Sequence, residues 1–357
     1  MKKKLLALFT ALVATSSAMS LSAQNPEAYA VLSNFTLTLH YDNQRNTYQD
    51  ATTFAIPLQT SQSVRVGWEY NELIKKVIIE PSLKEFKPYS TAYWFVGLSG
   101  LDSIQGLQYL NTKNVTDMKF MFTFCKSLKE LDVSNFNTEN VTDMHEMFAD
   151  CEQLKSLDLS NFATDNVTTM YDMFGDCMNL ETLQLTRFNT ENVTDMGFMF
   201  SNCKNLKSLD VSRFNTSKVT AMNWMFAQCT SLETLDLANF NTALVGDMDR
   251  MFKDCSQLKT IYCNDDWSKG VVTASTDMFI GCNQLKGAVD YNEAMVDVQM
   301  ANPVKGYFTS KEPTAISDIT TAQAQGTATR TYNLNGQPVG DGYKGIVIKG
   351  GKKMLQK

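Results

Sequence analysis

A 26-residue pattern of apolar and polar positions recurs along the chain from residue 114. Six copies share the same apolar landmarks, which are a valine, a pair of methionines, a phenylalanine, a cysteine and a leucine. Because a single copy cannot bury its own apolar face, a fixed period of this size indicates a solenoid. The copies begin at Asn114, Asn140, Asn166, Asn192, Lys218 and Leu244; a degenerate copy follows with Met278, Phe279, Cys282 and Leu285, and a worn one precedes them with Phe95, Leu98, Leu101 and Ile104.

Each copy combines two apolar spacings that predict different elements. Met118, Met121, Phe122 and Cys125 follow each other at i, i+3, i+4 and i+7, which is the spacing along one face of a short helix. Residues 128–136 then alternate apolar and polar side chains, as a strand with one buried face does. The pattern predicts an α/β solenoid with one short strand plus one short helix per repeat. The alternative is a parallel β-helix without helices.

The chain contains eight cysteines, and each occupies a position where the repeat predicts a buried side chain. A free cysteine packs well as a small apolar group, and parallel side chains in a stack do not readily reach the torsion angle of a disulfide. No C-x-x-C pair occurs, which argues against a zinc site. We therefore predict buried free thiols and no metal.

The first 23 residues have the organisation of a secretory signal peptide. Three lysines precede an apolar run from Leu5 to Val13, and small residues follow up to Ala23. The apolar run is too short to span a membrane. Removal of the signal peptide changes the formal charge of the chain from −6 to −9, because three lysines are lost. This negative charge argues against nucleic acid or an anionic membrane as a partner. We expect an exported protein, at the cell surface or extracellular.

Composition divides the remaining chain into further segments. The N-terminal cap contains strand-like stretches at 35–42, 75–81 and 89–95, and the tail has hairpin signals at Asn335-Gly336 and Gly350-Gly351. The segments are 24–97 (a β-rich N-terminal cap), 98–287 (the repeats), 288–308 (a C-terminal cap), 309–329 (a flexible linker rich in Thr, Ala, Ser and Gln) and 330–357 (a small β tail).

The repeat motif N-V-T-D-M-x-x-M-F-x-x-C-x-x-L, with its continuation L-x-x-L-x-L-x-x-F, resembles the BspA-like leucine-rich-repeat surface proteins of anaerobic bacteria over residues 98–287. The resemblance implies a leucine-rich-repeat solenoid and a cell-surface protein that serves adhesion or interaction without a cofactor. The end of the chain, YNLNGQPVGDGYKGIVIKGGKKMLQK, resembles the C-terminal sorting domains of type IX secretion. That resemblance implies delivery to the cell surface.

No constellation of residues predicts catalysis. The two histidines are His40, which we place at the surface of a strand-like stretch, and His145, which occupies a solvated outward position of its repeat. No nucleophile is placed near either ring. Gly340, Gly342 and Gly345 have the spacing of a dinucleotide-binding loop, but a strand-like segment follows them instead of a helix. We therefore predict no enzyme and no cofactor.

Two repeated polar features carry structural expectations. The N-x-T triplets headed by Asn114, Asn140, Asn166 and Asn192 predict hydrogen bonds between neighbouring repeats rather than glycans. A row of aspartates at one strand position could suit calcium, but it lacks the dense ligand loop of a recognised motif. The row consists of Asp132, Asp158, Asp210 and Asp236.

Two surfaces vary between the repeats and are therefore candidates for partner binding. One consists of outward aromatic residues beside the methionine pair, whose alternative role is packing between adjacent helices. They are Phe120, Tyr171, Phe198 and Trp224. The other is the polar face of the strands, whose alternative role is an ordinary solvated surface. It comprises Lys129, Asp132, Lys155, Asp158, Glu181, Gln184, Arg187, Lys207, Asp210, Arg213, Asp236 and Tyr262.

Together these features predict a non-enzymatic cell-surface or secreted protein. We expect it to adhere to an extracellular protein or glycan of the host or a neighbouring cell through its repeat surface. The alternative is a structural surface-coat protein that associates with its own copies.

Overall fold

The computed structural model describes residues 25–58 and 65–311, together with the backbone of 331–333, 338–339, 345–349 and 352–356. The chain divides into two compact units, Met1–Arg187 and Phe188–Lys357. The predicted signal peptide, most of the predicted linker and the predicted hairpin turns lie outside the described residues.

The first unit begins with a five-stranded mixed sheet in the order β3-β1-β2-β4-β5. β1 pairs antiparallel with β2 and β3, whereas β2 pairs parallel with β4, and β4 with β5. The strand-like stretches at 35–42 and 75–81 are confirmed as β2 and β4. The strands are β1 (Glu27–Ser33), β2 (Thr36–Asp42), β3 (Thr52–Ala55), β4 (Lys76–Ile79) and β5 (Ser103–Gln105).

The prediction of a strand at 89–95 is wrong, because these residues form turns. Their backbone pairs as the repeats do. The amide of Phe95 donates to the carbonyl oxygen of Met121 at 2.9 Å, and Ser90 forms a parallel bridge with Asp117. The ring of Phe95 also stacks on Phe122 at 5.4 Å. Repeat-like pairing therefore starts at residue 90.

The prediction of one helix per repeat is wrong. Residues 118–125 form consecutive turns, in which successive amides donate alternately within the repeat and to the following repeat. Each repeat, here called a coil, consists of turns and, in four copies, a short strand. The described part of the chain contains no α-helix and five short 3-10 helices, at Arg45–Thr47, Pro81–Glu85, Leu107–Tyr109, Trp267–Lys269 and Val298–Met300.

Two residues in each coil have a positive φ, which is incompatible with an α-helix of L-residues. In the first coil they are Phe120 (56°) and Phe124 (61°). Asp or Asn occupies the second of these positions in four coils, and these residues tolerate the left-handed region. Those four residues are Asp150, Asp176, Asn202 and Asp254.

The strand predicted in each repeat is confirmed in four coils, with three residues each. In the first unit β6 pairs parallel with β7, and in the second unit β8, β9 and β10 form a parallel three-stranded sheet. These strands are β6 (Ser156–Asp158), β7 (Thr182–Gln184), β8 (Thr234–Asp236), β9 (Thr260–Tyr262) and β10 (Phe308–Thr309).

The predicted core is confirmed, since the landmark valines, methionines, phenylalanines, cysteines and leucines of all six copies are fully buried. Their phenylalanine rings stack from coil to coil. In the first unit Phe122, Phe148 and Phe174 have centroid distances of 5.7 and 5.8 Å with nearly parallel planes. Such pairs contribute about 0.5–1.5 kcal/mol beyond the burial of their area.

The eight cysteines are buried and free, as predicted. The Cys151 thiol donates to the carbonyl oxygen of Phe122 in the preceding coil at 3.3 Å, and Cys229 does the same to Phe200 at 3.1 Å. Burial raises the pKa of Cys151 and Cys229 well above the ordinary value of a thiol.

Aromatic residues of the predicted C-terminal cap pack on the last coil of the second unit. The rings of Tyr307 and Phe308 meet Phe279 edge-on at 5.3 and 6.3 Å, and Phe308 meets Trp267 at 4.9 Å. The Tyr307 hydroxyl donates to the carbonyl oxygen of Met295 at 2.8 Å. These contacts cover the apolar end of the last coil.

The tail forms a four-stranded antiparallel sheet in the order β12-β11-β13-β14. Its pairing agrees with the two predicted hairpins. The strands are β11 (Thr331–Asn333), β12 (Pro338–Val339), β13 (Gly345–Lys349) and β14 (Lys352–Gln356).

Candidate binding surfaces

The polar strand face lies on the outside of the coils, as predicted. Ten of its twelve residues are exposed, and Asp236 and Tyr262 are half-buried. The parallel register places Asp158 beside Gln184 in the first unit and Asp236 beside Tyr262 in the second. The face therefore combines a residue type that recurs in most coils, such as Asp158, with substitutions such as Gln184 and Tyr262.

The aspartates of this face are held by hydrogen bonds from their own turns. The Ser134 amide donates to the Asp132 carboxylate at 3.0 Å, and the Ser160 amide donates to Asp158 at 2.9 Å. Hydrogen bonds from Ser134 lower the pKa of Asp132, and those from Ser160 lower the pKa of Asp158. These carboxylates are therefore ionised at neutral pH and fixed in direction.

The aromatic residues of the first unit form a continuous row with their neighbours. The Phe120 ring stacks on Tyr93 at 5.0 Å and contacts His145 at 5.0 Å, and His145 contacts Tyr171 at 5.0 Å. The Arg65 guanidinium group lies over the Tyr93 ring, 4.8 Å from its centroid. His145 is therefore half-buried in this row rather than solvated, which corrects the prediction.

The aromatic residues of the second unit also pack on one another. Phe198 stacks on Trp224 at 5.6 Å with an interplanar angle of 8°. Arg250 and Lys253 lie over the Trp224 ring at 5.4 and 5.2 Å. Since neighbouring side chains occupy the ring faces, these contacts favour the alternative role of packing between repeats, here between turns rather than helices.

An acidic cluster in the first unit was not predicted. Burial and the carboxylates of Glu146, Asp176 and Asp150 raise the pKa of Asp172 to about 8. Burial and Asp176 raise the pKa of Asp150 to about 6, while Lys126, 3.7 Å away, opposes this shift. The sequence could have predicted this cluster, because residues 26 apart lie side by side in adjacent coils, as Asp150 and Asp176 do.

Two adjoining grooves lie where one coil of the first unit passes to the next. The larger groove has a volume of about 320 Å³ and is lined by residues that include Lys84, Tyr109 and Lys113. The smaller one has a volume of about 270 Å³ and includes Glu139 and Arg187. Asn135 and Asn137 line both grooves.

Two of the four asparagines that head N-x-T triplets bridge neighbouring coils, as predicted. The Asn140 amide group donates to the carbonyl oxygen of Lys113 at 3.0 Å, and that of Asn166 donates to Glu139 at 2.8 Å. Among the described residues no group of His, Cys, Asp and Glu side chains could hold a metal ion. Within the same residues, no helix has the length and apolar character needed to cross a bilayer.

A family model described as "Mycoplasma protein of unknown function, DUF285" matches residues 92–184 and 174–292, which together exceed half of the chain. The chain belongs to this family. The DUF285 match includes all six full copies of the repeat and starts close to residue 90, where repeat-like pairing begins.

Among solved structures, the chain is similar to a leucine rich cell surface protein from Faecalibacterium prausnitzii A2-165. The two are 16% identical, with 76% of this chain and 96% of that chain covered and a TM-score of 0.28. A score this low does not establish a shared fold. No curated protein matches the chain.

Proposed function

We propose that this chain is a non-enzymatic protein of the cell surface or extracellular space, which adheres to an extracellular protein or glycan through the polar strand face. The observation that carries the proposal is the contrast within each coil. The landmark residues are completely buried and identical in all six copies, whereas the exposed strand positions vary, so that Lys155 and Asp158 are followed one coil later by Glu181 and Gln184.

Several features of the sequence support an exported surface protein. The first 23 residues resemble a signal peptide, the repeats resemble those of BspA-like leucine-rich-repeat surface proteins, and the tail resembles a type IX sorting domain. Deletion of residues 330–357 tests the last point. We expect the shortened protein to stay in the periplasm, and surface exposure equal to that of the full chain would contradict this.

The strand face suits a partner better than the aromatic rows. Its charged side chains are exposed and mixed in sign, and complementary charges give specificity and fast association. In the aromatic rows, the faces of Phe120 and Trp224 are covered by other rings or by cations. A ring with covered faces offers a ligand only its edges.

Both histidines contact neighbouring side chains. His145 Nε2 lies 3.0 Å from Glu146 within the aromatic row. His40 is half-buried and stacks on Tyr29 at 5.0 Å, so it does not lie at the surface as predicted. Burial lowers the pKa of His40, although Asp42 opposes this.

Binding of the full chain to an array of extracellular-matrix proteins, mucins and glycans tests the proposal. We expect saturable binding to at least one ligand. No binding by a folded sample, together with concentration-dependent self-association, would contradict adhesion and support the surface-coat alternative.

A further inference from the structure

The larger groove of the first unit is built from side chains that the backbone holds in place. The Asn135 side-chain amide donates to the carbonyl oxygens of Leu107 and Leu110 at 3.2 and 3.3 Å. Its Nδ2 is thereby engaged, so its oxygen is the atom that can accept a hydrogen bond from a ligand. In Asn137, the oxygen accepts the Glu139 amide at 3.1 Å, and Nδ2 donates to the Glu139 carboxylate at 3.5 Å. The groove wall is therefore polar and preorganised.

Two lysines project from backbone that is fixed on this wall. The carbonyl oxygen of Lys84 accepts from the Asn111 side chain at 2.9 Å, and its ammonium group lies 4.8 Å from the centroid of the Tyr109 ring. The Lys113 amide donates to the Asn111 side chain at 3.2 Å, and its carbonyl oxygen accepts from Asn140 at 3.0 Å. Both side chains are exposed.

The positive charge of Lys113 is an exception to the repeat pattern. At the position of Lys113 the next coils carry Glu139, Asp165 and Glu191. No acidic residue lines the larger groove, although the whole chain has a net charge of −6. A basic groove in an acidic protein selects anions, because local potential rather than net charge governs the approach of a ligand.

The groove chemistry fits a charged sugar better than a peptide. Peptides are generally held by a free strand edge, an apolar groove, a row of aromatic pockets or a cluster of arginines. This groove offers amide groups, two ammonium groups and one tyrosine, and its volume of about 320 Å³ is at the lower end of small-ligand sites. Sugar hydroxyls can exchange hydrogen bonds with the fixed amides, while a carboxylate pairs with the lysines.

We propose that the groove formed by Lys84, Tyr109, Lys113, Asn135 and Asn137 binds a carboxylated sugar of an acidic glycan. Lys84 and Lys113 pair with the sugar carboxylate, and the asparagine side chains bind its hydroxyl groups. The site adjoins the strand face, because Asn135 stands at the repeat position of Arg187, but it shares no residue with that face. It adds a second binding function to the one proposed above, and each can fail without the other.

Calorimetric titration of the full chain with tetragalacturonate tests the proposal, with the fully methyl-esterified tetramer as the neutral probe. At about 0.1 M salt, where exposed charges are screened beyond about 10 Å, we expect saturable binding of the acid and at least about tenfold weaker binding of the ester. No saturable binding of tetragalacturonate by the folded protein would overturn the proposal.

The variants Lys84→Ala and Lys113→Glu locate the site. The second introduces the residue type that the repeat already carries at Glu139, so the fold accommodates it. We expect each to weaken tetragalacturonate binding by about two- to fivefold, since an exposed ion pair contributes about 0.5–1 kcal/mol. The control Lys204→Glu changes an exposed lysine that belongs neither to the groove nor to the strand face, and it should leave this binding unchanged.

Two results would overturn the proposal. One is unchanged tetragalacturonate affinity in both groove variants. The other is equal affinity of the wild-type groove for a hexaglutamate peptide, which would show that the groove selects charge and not a sugar. Loss of array binding in strand-face variants, with tetragalacturonate binding intact, would separate this site from the adhesion surface.

Discussion

The backbone amide of Phe122 donates a hydrogen bond of 2.9 Å to the carbonyl oxygen of Met147 in the following coil. The adjacent amide of Met121 instead donates to Met118 within its own turn, at 3.3 Å. Because of this alternation, the apolar segment of each coil forms turns and also pairs with the backbone of the next coil. Each coil therefore depends on its neighbours for backbone hydrogen bonds as well as for burial.

Replacing Thr138 with valine should destabilise the first unit. The buried Thr138 hydroxyl donates to the carbonyl oxygen of Ala163 at 2.9 Å and accepts its amide at 2.8 Å. Valine keeps the shape but leaves both backbone groups without that partner, which costs about 1–3 kcal/mol. Urea denaturation followed by circular dichroism measures the change.

The matched control is Thr142→Val. Thr142 also donates across coils, to the carbonyl oxygen of Thr116 at 3.1 Å, but it is exposed, so water can replace it. We expect a change of less than about 0.5 kcal/mol. Equal losses in the two variants would contradict the structural role of the buried hydroxyl.

The acidic cluster should make the first unit less stable as pH rises. The folded pKa of Asp172 is about 8, above the unfolded value of about 3.9, so the folded state holds its proton more tightly. Its contribution to the free energy of unfolding is therefore complete below about pH 4 and is lost as pH rises to about 8. Asp150, with a folded pKa of about 6, acts in the same direction at lower pH.

Asp172→Asn should remove this dependence. At pH 9 the variant should exceed the wild type by at least about 1.4 kcal/mol, the equivalent of one pKa unit, because it eliminates a carboxylate that faces Glu146, Asp150 and Asp176. Denaturation curves between pH 4 and 9 measure it. Asp158→Asn, whose carboxylate is exposed and has a lowered pKa, serves as the control and should not stabilise. A destabilised Asp172→Asn protein at pH 9 would refute the account.

The eight buried thiols should resist alkylation in the folded protein. Only a thiolate reacts quickly, and burial raises the pKa of Cys263 to about 11 and that of Cys151 well above the ordinary value of a thiol. Mass spectrometry after iodoacetamide treatment should show no adducts on the folded chain. Under denaturing conditions without a reductant, it should show eight. Fewer adducts without reductant than with it would reveal disulfides.

The buried positions could be predicted from the sequence, because the period alone identifies which residues face inward. The helix could not be excluded by the same pattern. Met118, Met121, Phe122 and Cys125 are spaced as on a helix face, yet consecutive turns place them inward equally well. The available signal was the recurrence of Asp or Asn at the position of Asp150, where φ is positive.

The candidate surfaces could be predicted only in part. The strand face follows from alternation, and its exposed residues lie where the pattern placed them. The stacking of Phe120 on Tyr93 depends on a coil that the sequence suggested to be a strand. The basic groove includes Lys84, which precedes the repeats in sequence and whose carbonyl oxygen accepts a hydrogen bond from the Asn111 side chain. A repeat pattern carries no information about such a contact.

The most direct test of adhesion through the strand face compares two variants on the array of matrix proteins, mucins and glycans. Lys129→Glu combined with Lys155→Glu reverses exposed charges of the strand face, and Trp224→Ala removes the centre of an aromatic row. We expect at least about tenfold weaker binding for the first and binding equal to wild type for the second. Full binding by the charge-reversed protein, with loss in Trp224→Ala, would contradict it.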